Sequence, residues 1–232
     1  MAHISTNISG ERDTFKGAAR FETQSTLITI TSMISKRMFD IIFTLLVAPF
    51  VIVLLCIVAP FIKSDGGSLF FGHKRVGKDG RQFKCWKIRT MVADADVKLL
   101  EYLESNPAEK AAWLTDFKLE KDPRITRLGA LLRKTSIDEL PQFFNVFKGE
   151  MSIVGPRPVT MEEISSQYQE AADAVLSVRP GVTGPWQVSG RNSISYAERV
   201  QIDLQYVSRV SFWKDISIIF QTVKVMVLRT GQ

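Results

Sequence analysis

Two adjacent carboxylates, Asp138 and Glu139, lie in the run Lys134-Thr-Ser-Ile-Asp-Glu-Leu-Pro-Gln142, directly after Arg133. A carboxylate beside a second carboxylate and two cations can act as a nucleophile and as a magnesium ligand in phosphate chemistry. A plainer reading stands next to it. Ser136 has the spacing to cap a helix whose third residue is Glu139, a capping box, with Pro141 tolerated in the first turns. The positive end of that helix favours an ionised Asp138 by about 0.3 to 1 kcal/mol. Further basic residues, Arg75, Lys87, Arg89, Arg124, Arg127, Arg157, Arg179 and Arg191, mostly fall in turns or beside Gly and Pro. Guanidinium groups so placed either converge on phosphates through paired hydrogen bonds or serve as solvated surface charge. Arg157, between Pro156 and Pro158, looks least like a casual surface charge, and Lys87 and Arg89 share one strand face by the two-residue period.

Other chemistries lack the residues. The histidines are His3 and His73 and the cysteines Cys56 and Cys85, without metal-ligand or redox spacing. Zinc sites, serine–histidine hydrolases and disulfide frameworks are thereby excluded. Gly72-His-Lys-Arg-Val-Gly-Lys78 matches most of a P-loop, but Asp79 stands where Ser or Thr should meet magnesium, and Asp79-Gly80 signals a hairpin turn. A net charge of +6 and a pI near 9.4 favour anionic partners: phosphorylated ligands, lipid headgroups or nucleic acid.

The elements that must position these residues are short. Residues 68–71 and 82–88 read as strands joined by a turn at 77–80, and 94–118 as charged helix broken at Asn106-Pro107. Residues 127–134 and 137–147 read as apolar-periodic helices, 151–154 as an extended run, 159–176 as a helix and 179–192 as a Gly- and Pro-rich loop. The stretch 212–228 is a basic amphipathic helix, suited either to a membrane interface or to core packing.

The run Ile41 to Ile62, about 22 residues with Thr44 its only polar side chain, is long enough at about 1.5 Å per residue to cross a hydrocarbon core. Pro49 lies inside it, and Lys36, Arg37, Lys63, Lys74 and Arg75 flank both ends, so charge gives no direction of crossing. A kinked crossing helix and a re-entrant hairpin with both ends on one side both fit. The chain therefore divides into a mobile tail over 1–33, a membrane helix over 34–63 and one catalytic unit over 64–232.

From about Lys36 to Leu228 the sequence resembles the bacterial sugar transferases, the monotopic polyprenyl-phosphate phosphoglycosyl transferases. The motifs are, in order, Lys36-Arg37 with Asp40, Arg75-Val-Gly77, Lys87-Ile-Arg-Thr-Met91, Asp122-Pro-Arg124, Leu132-Arg133, Ser136-Ile-Asp-Glu-Leu-Pro-Gln142, Gly149-Glu-Met-Ser-Ile-Val-Gly-Pro-Arg-Pro158, Arg179-Pro-Gly-Val-Thr-Gly184 and Gln187-Val-Ser-Gly-Arg191. The resemblance implies an α+β, mainly helical fold: a re-entrant helix broken at Pro49, a cytosolic catalytic domain with a small strand element, and interfacial amphipathic helices. It places the protein on the cytoplasmic face of the bacterial cytoplasmic (inner) membrane. It also implies a two-step reaction in which Asp138 attacks a UDP-sugar, releases UMP and holds a phosphosugar that polyprenyl (undecaprenyl) phosphate removes.

Mg2+ bound at Asp138, Glu139 as dyad partner, and phosphate or substrate contact by Arg133 and Arg157 follow from the same resemblance, with Arg75, Lys87, Arg89 and Arg191 as further candidates. Its implied partners are UDP-sugar, the lipid carrier and inner-membrane lipid, with no nucleic acid and with a homo-oligomer left open. The version Trp186-Gln-Val-Ser-Gly-Arg-Asn192 is similar to exopolysaccharide-initiating members that use UDP-galactose or UDP-glucose. Two departures are Ala48, where the family often has Ser before the proline, and Gly184-Pro-Trp186, where Gly-Trp-Ala is commoner. The competing class is a noncatalytic membrane scaffold whose basic surface binds anionic lipid.

Overall fold

The computed structural model describes residues 9–116, 119, 121–190 and 194–228, with side chains from Met33 onward. Its contacts divide the chain into two units at Phe39 and Asp40. Helix α1 is assigned from Ser9 to Ile62 with Pro49 and Pro60 inside it. Residues 9–33, which composition reads as a tail, are thus assigned helical; no proline precedes Pro49 to stop the helix. Of the described helices, one stretch, Met33–Asp65, is long and apolar enough to cross a membrane.

In the second unit, the inner face of α1 is Asp40, Thr44, Val51, Val58 and Ile62, all buried at helical spacing. Leu45, Leu46, Phe50, Val53, Ile57 and Phe61 lie exposed on the rest of its surface. Both ends of that face are tied to the domain by hydrogen bonds. The Asp40 carboxylate accepts from Ser152 Oγ (3.0 Å) and Ile153 N (2.9 Å), and the Ile62 carbonyl accepts from Arg89 Nη2 (2.7 Å). Between them Val58 and Ile62 pack with Ile88 and Leu132.

Strands β1 (Phe70–Val76) and β2 (Gln82–Ile88) pair antiparallel, Phe71 opposite Lys87. The turn between them, Lys78–Gly80, puts Asp79 at φ 56°, the hairpin geometry that the sequence signals in place of a phosphate loop. Beyond β2 come α2 (Ala95–Ser105) and α3 (Pro107–Asp116), separated at Asn106. Helix α4 (Arg127–Lys134) starts on a Thr126 cap, and α5 (Gln142–Lys148) ends at Gly149 in the left-handed region. Asn145, fully buried on α5, docks that helix on the hairpin: its amide donates to Lys84 O (2.7 Å) and its carbonyl accepts from Trp86 N (3.0 Å).

Strand β3 (Ser152–Val154) pairs parallel with β4 (Gly181–Thr183), a strand inside the stretch read as loop. Backbones nearly touch here; a Cβ on Gly155 would lie 2.4 Å from the Arg179 carbonyl oxygen. The helix expected over 159–176 is broken instead. It comprises α6 (Met161–Glu163), a π turn (Ile164–Tyr168), a 3-10 turn at Gln169–Ala171 and α7 (Ala172–Leu176). The break buries both Ile164 and Tyr168, with Val76, Val159, Val175 and Val200, and leaves Gln169 at φ 42°. Helices α8 (Pro185–Val188), α9 (Tyr196–Val207) and α10 (Phe212–Leu228) complete the unit. On α10, Ile218 is buried while Trp213 and Phe220 are exposed, so the helix both packs on the domain and presents an apolar outer face.

Arg89 has no N–H left for a ligand. Nε donates to Ser68 O, Nη1 to Asp65 Oδ2 and Met91 O, and Nη2 to Ile62 O and Asp65 Oδ1. The planar fork of Arg89, a residue expected to meet phosphate, clasps the end of α1 to the end of β2. Arg89→Lys, which keeps the charge and loses the fork, is expected to lower the melting temperature by roughly 5 °C. An unchanged thermal unfolding curve would show that the fork contributes nothing.

Candidate active site

The carboxylate pair sits in a 3-10 turn, Ile137–Glu139, between α4 and α5. Ser136 adopts φ 56° and caps nothing with its side chain, so the capping box expected over 136–139 does not form. The chain needs a left-handed residue to leave α4, and Pro141 rather than Ser136 precedes α5. Glu139 is therefore free for another partner: Lys87 Nζ reaches its Oε1 at 2.7 Å and stands 3.9 Å from Asp138 Oδ2.

Asp138 is nine-tenths buried, and burial pushes its pKa up to about 6, with Glu139 adding to the rise and Lys87 and Arg133 opposing it. The helix-end effect expected to keep it ionised is outweighed by desolvation. A three-residue turn has little macrodipole to set against the loss of water.

A cavity of about 770 Å³ opens over this pair. Lys87, Arg133 and Arg157 line it, as do Arg124, the segment from Thr90 to Ala93, and Trp186 with Gln187. Arg133 is aimed by Thr90, whose Oγ1 accepts from its Nε at 2.8 Å. Arg124 is engaged by Asp122 (2.6 Å) and lies 5.0 Å from the Trp113 ring centre. Arg157 lies 4.8 Å from the centre of the Trp186 ring.

The structure thus gathers seven of the residues singled out from sequence, Lys87, Arg89, Arg124, Arg133, Asp138, Glu139 and Arg157, at one cavity. One is corrected. Arg75 is not on its wall; its Nη1 pairs with Glu163 Oε2 at 2.9 Å, where Glu163 also closes the capping box that starts α6. A carboxylate partly withdrawn from water gains from a counter-charge, and Arg75 supplies it. Arg89 reaches the rim with its guanidinium already engaged. Arg191 lies outside the described residues. Sequence reasoning passed over Thr90, which the Lys-Ile-Arg-Thr-Met motif contains, and read Trp186 as a variant of the family pattern rather than as a wall of the cavity.

A second, apolar groove of about 650 Å³ runs between α1 and α5, lined by Thr44, Ala48, Val51, Phe70, Trp86 and Phe144 among others. Leu140 and Pro141, which follow the carboxylate pair, also line it.

A sequence model of bacterial sugar transferases matches residues 31–229. An exopolysaccharide production protein of Sinorhizobium fredii is 48% identical over 85% of this chain and 88% of its own length. A UDP-galactose-lipid carrier transferase of Erwinia amylovora is 47% identical over 87% of this chain and 42% of its own. An undecaprenyl-phosphate galactose phosphotransferase of Salmonella typhimurium is 44% identical over 90% of this chain and 44% of its own. The chain thus spans less than half the length of several curated relatives it matches. The matched range takes in the apolar helix, the carboxylate turn and the Pro-Arg-Pro segment, and the chain belongs to the bacterial sugar transferase family.

Proposed function

We propose that the protein transfers a hexose 1-phosphate from a UDP-sugar to undecaprenyl phosphate, releasing UMP, as the first membrane step of exopolysaccharide synthesis. The observation that carries this reading is Asp138, nine-tenths buried at the floor of a large cavity, with Glu139, Lys87, Arg133 and Arg157 around it. Asp138 attacks the sugar-bearing phosphorus, the bond to the UMP oxygen breaks, and an aspartyl phosphosugar forms. An oxygen of the lipid phosphate then displaces Asp138. Lys87 orients the carboxylates, and Arg133 and Arg157 offset charge on the diphosphate.

Magnesium fits two neighbouring carboxylates plus phosphate oxygens, and Asp138 accepts no hydrogen bond from the described side chains. Among the described residues no group of three potential ligands forms a cage, which suits an ion shared with the substrate diphosphate. Bound between Asp138, Glu139 and substrate, it would supply electrostatic stabilisation of the leaving UMP.

The apolar groove supports a polyprenyl acceptor, because its mouth at Leu140 and Pro141 adjoins the nucleophile's turn. Tethering of α1 to the domain at both Asp40 and Ile62 supports a membrane helix with both ends held to the catalytic unit on one face, the cytoplasmic one, although α1 is assigned as unbroken helix through Pro49, where the re-entrant break was expected. Names of the relatives support galactose or glucose as the sugar. A scaffold would leave the Asp138 turn without use.

The direct test is UMP release by the purified protein in nanodiscs with magnesium, a short polyprenyl phosphate and a panel of UDP-sugars. Carrier-dependent UMP from UDP-galactose or UDP-glucose is the expected result, and silence across the panel with folded protein rejects the reading. The rate also carries a pH signature. Attack needs the ionised carboxylate, so kcat/KM is expected to fall as pH drops through about 6, the value to which burial raises Asp138. A flat profile between about pH 5 and 7, roughly one unit either side of that value, would remove Asp138 from the free-enzyme ionisation.

A further inference from the structure

Behind the Arg157 wall stands a buried group on α9 that the proposed chemistry never touches. The Arg199 guanidinium lies 4.5 Å from the centre of the Trp186 ring that Arg157 also faces, and 4.8 Å from that of Tyr196. Two cations sharing one indole repel each other unless a negative charge lies nearby. Asp203, one turn after Arg199 and fully buried, is the carboxyl that faces them: burial pushes it up to about 7, while Tyr168, Arg199, the Arg157 main-chain N–H and the Arg157 guanidinium favour its ionised form. Tyr168 Oη donates to Asp203 Oδ2 at 2.9 Å and fixes the carboxylate's orientation.

The need for such a group is physical. Pro156 and Pro158 restrain the backbone at Arg157, but an arginine side chain carries about 2 kcal/mol of rotamer freedom that a phosphate clamp must surrender on binding. A guanidinium already laid against a ring that cannot move has surrendered it beforehand. Trp186 is only 5% exposed, wedged into the α8 turn after Pro185, so its position is set by what packs on it.

We propose that Arg199 and Asp203 are positioning residues which, through the Trp186 ring and the buried Asp203 carboxyl beside it, hold the Arg157 side chain at the cavity wall where it meets the donor diphosphate. The inference rests on the reading of this cavity as a UDP-sugar site. Neither residue touches substrate, and each acts on binding through Arg157.

The test uses the full chain in nanodiscs and the variants Arg199→Lys, Asp203→Asn, Arg157→Lys and the Arg199→Lys/Arg157→Lys pair. Arg199→Lys is expected to raise KM for the preferred UDP-sugar about tenfold, with kcat within about twofold, because a lysine keeps the charge but loses the planar stack. UDP affinity by calorimetry should fall by the same factor, and the double variant should be no weaker than Arg157→Lys alone. Asp203→Asn probes the same device from its carboxyl side and should shift KM in the same direction.

Wild-type KM and UDP affinity in folded Arg199→Lys would overturn the inference, as would factors that multiply in the double variant or losses confined to thermal stability. Wild-type protein that binds UDP but releases no UMP would reject the transferase reading and leave the UDP affinities to decide this one. Wild-type protein that neither binds UDP nor turns over would reject both.

Discussion

Asp138→Asn is expected to abolish carrier-dependent UMP release, by at least about a thousandfold, while making the folded protein more stable. Asn keeps the shape of the side chain but offers no anionic oxygen to phosphorus. The stability gain follows from burial. In the folded protein the Asp138 pKa stands at about 6, above its ordinary 3.8, so folding favours the protonated form. Above about pH 6 the buried anion costs stability, of order 2 to 3 kcal/mol. As pH falls from 6 towards 3.8 that cost fades, and below both values it is gone. In magnesium-free buffer, Asp138→Asn should therefore melt higher than wild type at pH 7.5 and together with it at pH 3.5, conditions chosen on either side of the roughly two-unit shift. Wild-type turnover in this variant would exclude Asp138 as nucleophile, and an equal melting temperature at pH 7.5 would mean that its carboxylate is not held out of water.

Gly129→Ala is the substitution with the largest expected structural cost. Gly129 lies in α4 where that helix crosses the end of β2, and a Cβ there would sit 2.0 Å from the Thr90 carbonyl oxygen. That oxygen cannot step aside, since it accepts from Thr126 N at 3.1 Å. The helix must lift instead, opening the contact of Leu132 with Ile88 and Val58 and pulling Arg133 from Thr90 Oγ1. A loss of about 3 kcal/mol or more is expected, with a fall of roughly 6 to 12 °C in melting temperature and reduced turnover. Ala130→Ser, one residue on and exposed, is the matched control and should change the melting temperature by no more than about 2 °C. Equal unfolding curves for the two variants would contradict the close approach.

Legibility in the sequence tracked the range of the determining interactions. Helix 127–134 and the break at Asn106-Pro107 were readable because apolar period and proline act locally. The π turn at Ile164–Tyr168 was not, because burying Tyr168 against Asp203 and Val200 overrides a helical pattern that is otherwise intact. Strand β4 has three residues and finds its partner across a long connection, so no local pattern announces it. At the site, Asp138 and Glu139 stood out by chemistry, yet their electrostatics did not: the capping box was locally plausible, and only packing turns Glu139 towards Lys87. Arg75 and Arg89 ranked behind Arg133 and Arg157 in the sequence, but not for the reason the structure shows, which is that a carboxylate, Glu163 or Asp65, holds each guanidinium. Arg199 and Asp203 lie in an ordinary amphipathic helix, and nothing in its pattern marks them.

The tether between Asp40 and the β3 strand also sets a timetable. Asp40 leaves the ribosome 112 residues before Ser152, its partner. At synthesis rates of about 5–20 residues per second, the apolar half of α1 waits roughly 6 to 22 s for the strand that will hold it. An apolar helix left unpartnered for that long seeks lipid, so on the proposed membrane reading the bilayer is its first binding partner and the domain its second. On that reading the domain completes its fold at the membrane surface, on a helix already inserted, and release from the ribosome and arrival at the proposed lipid acceptor become a single event.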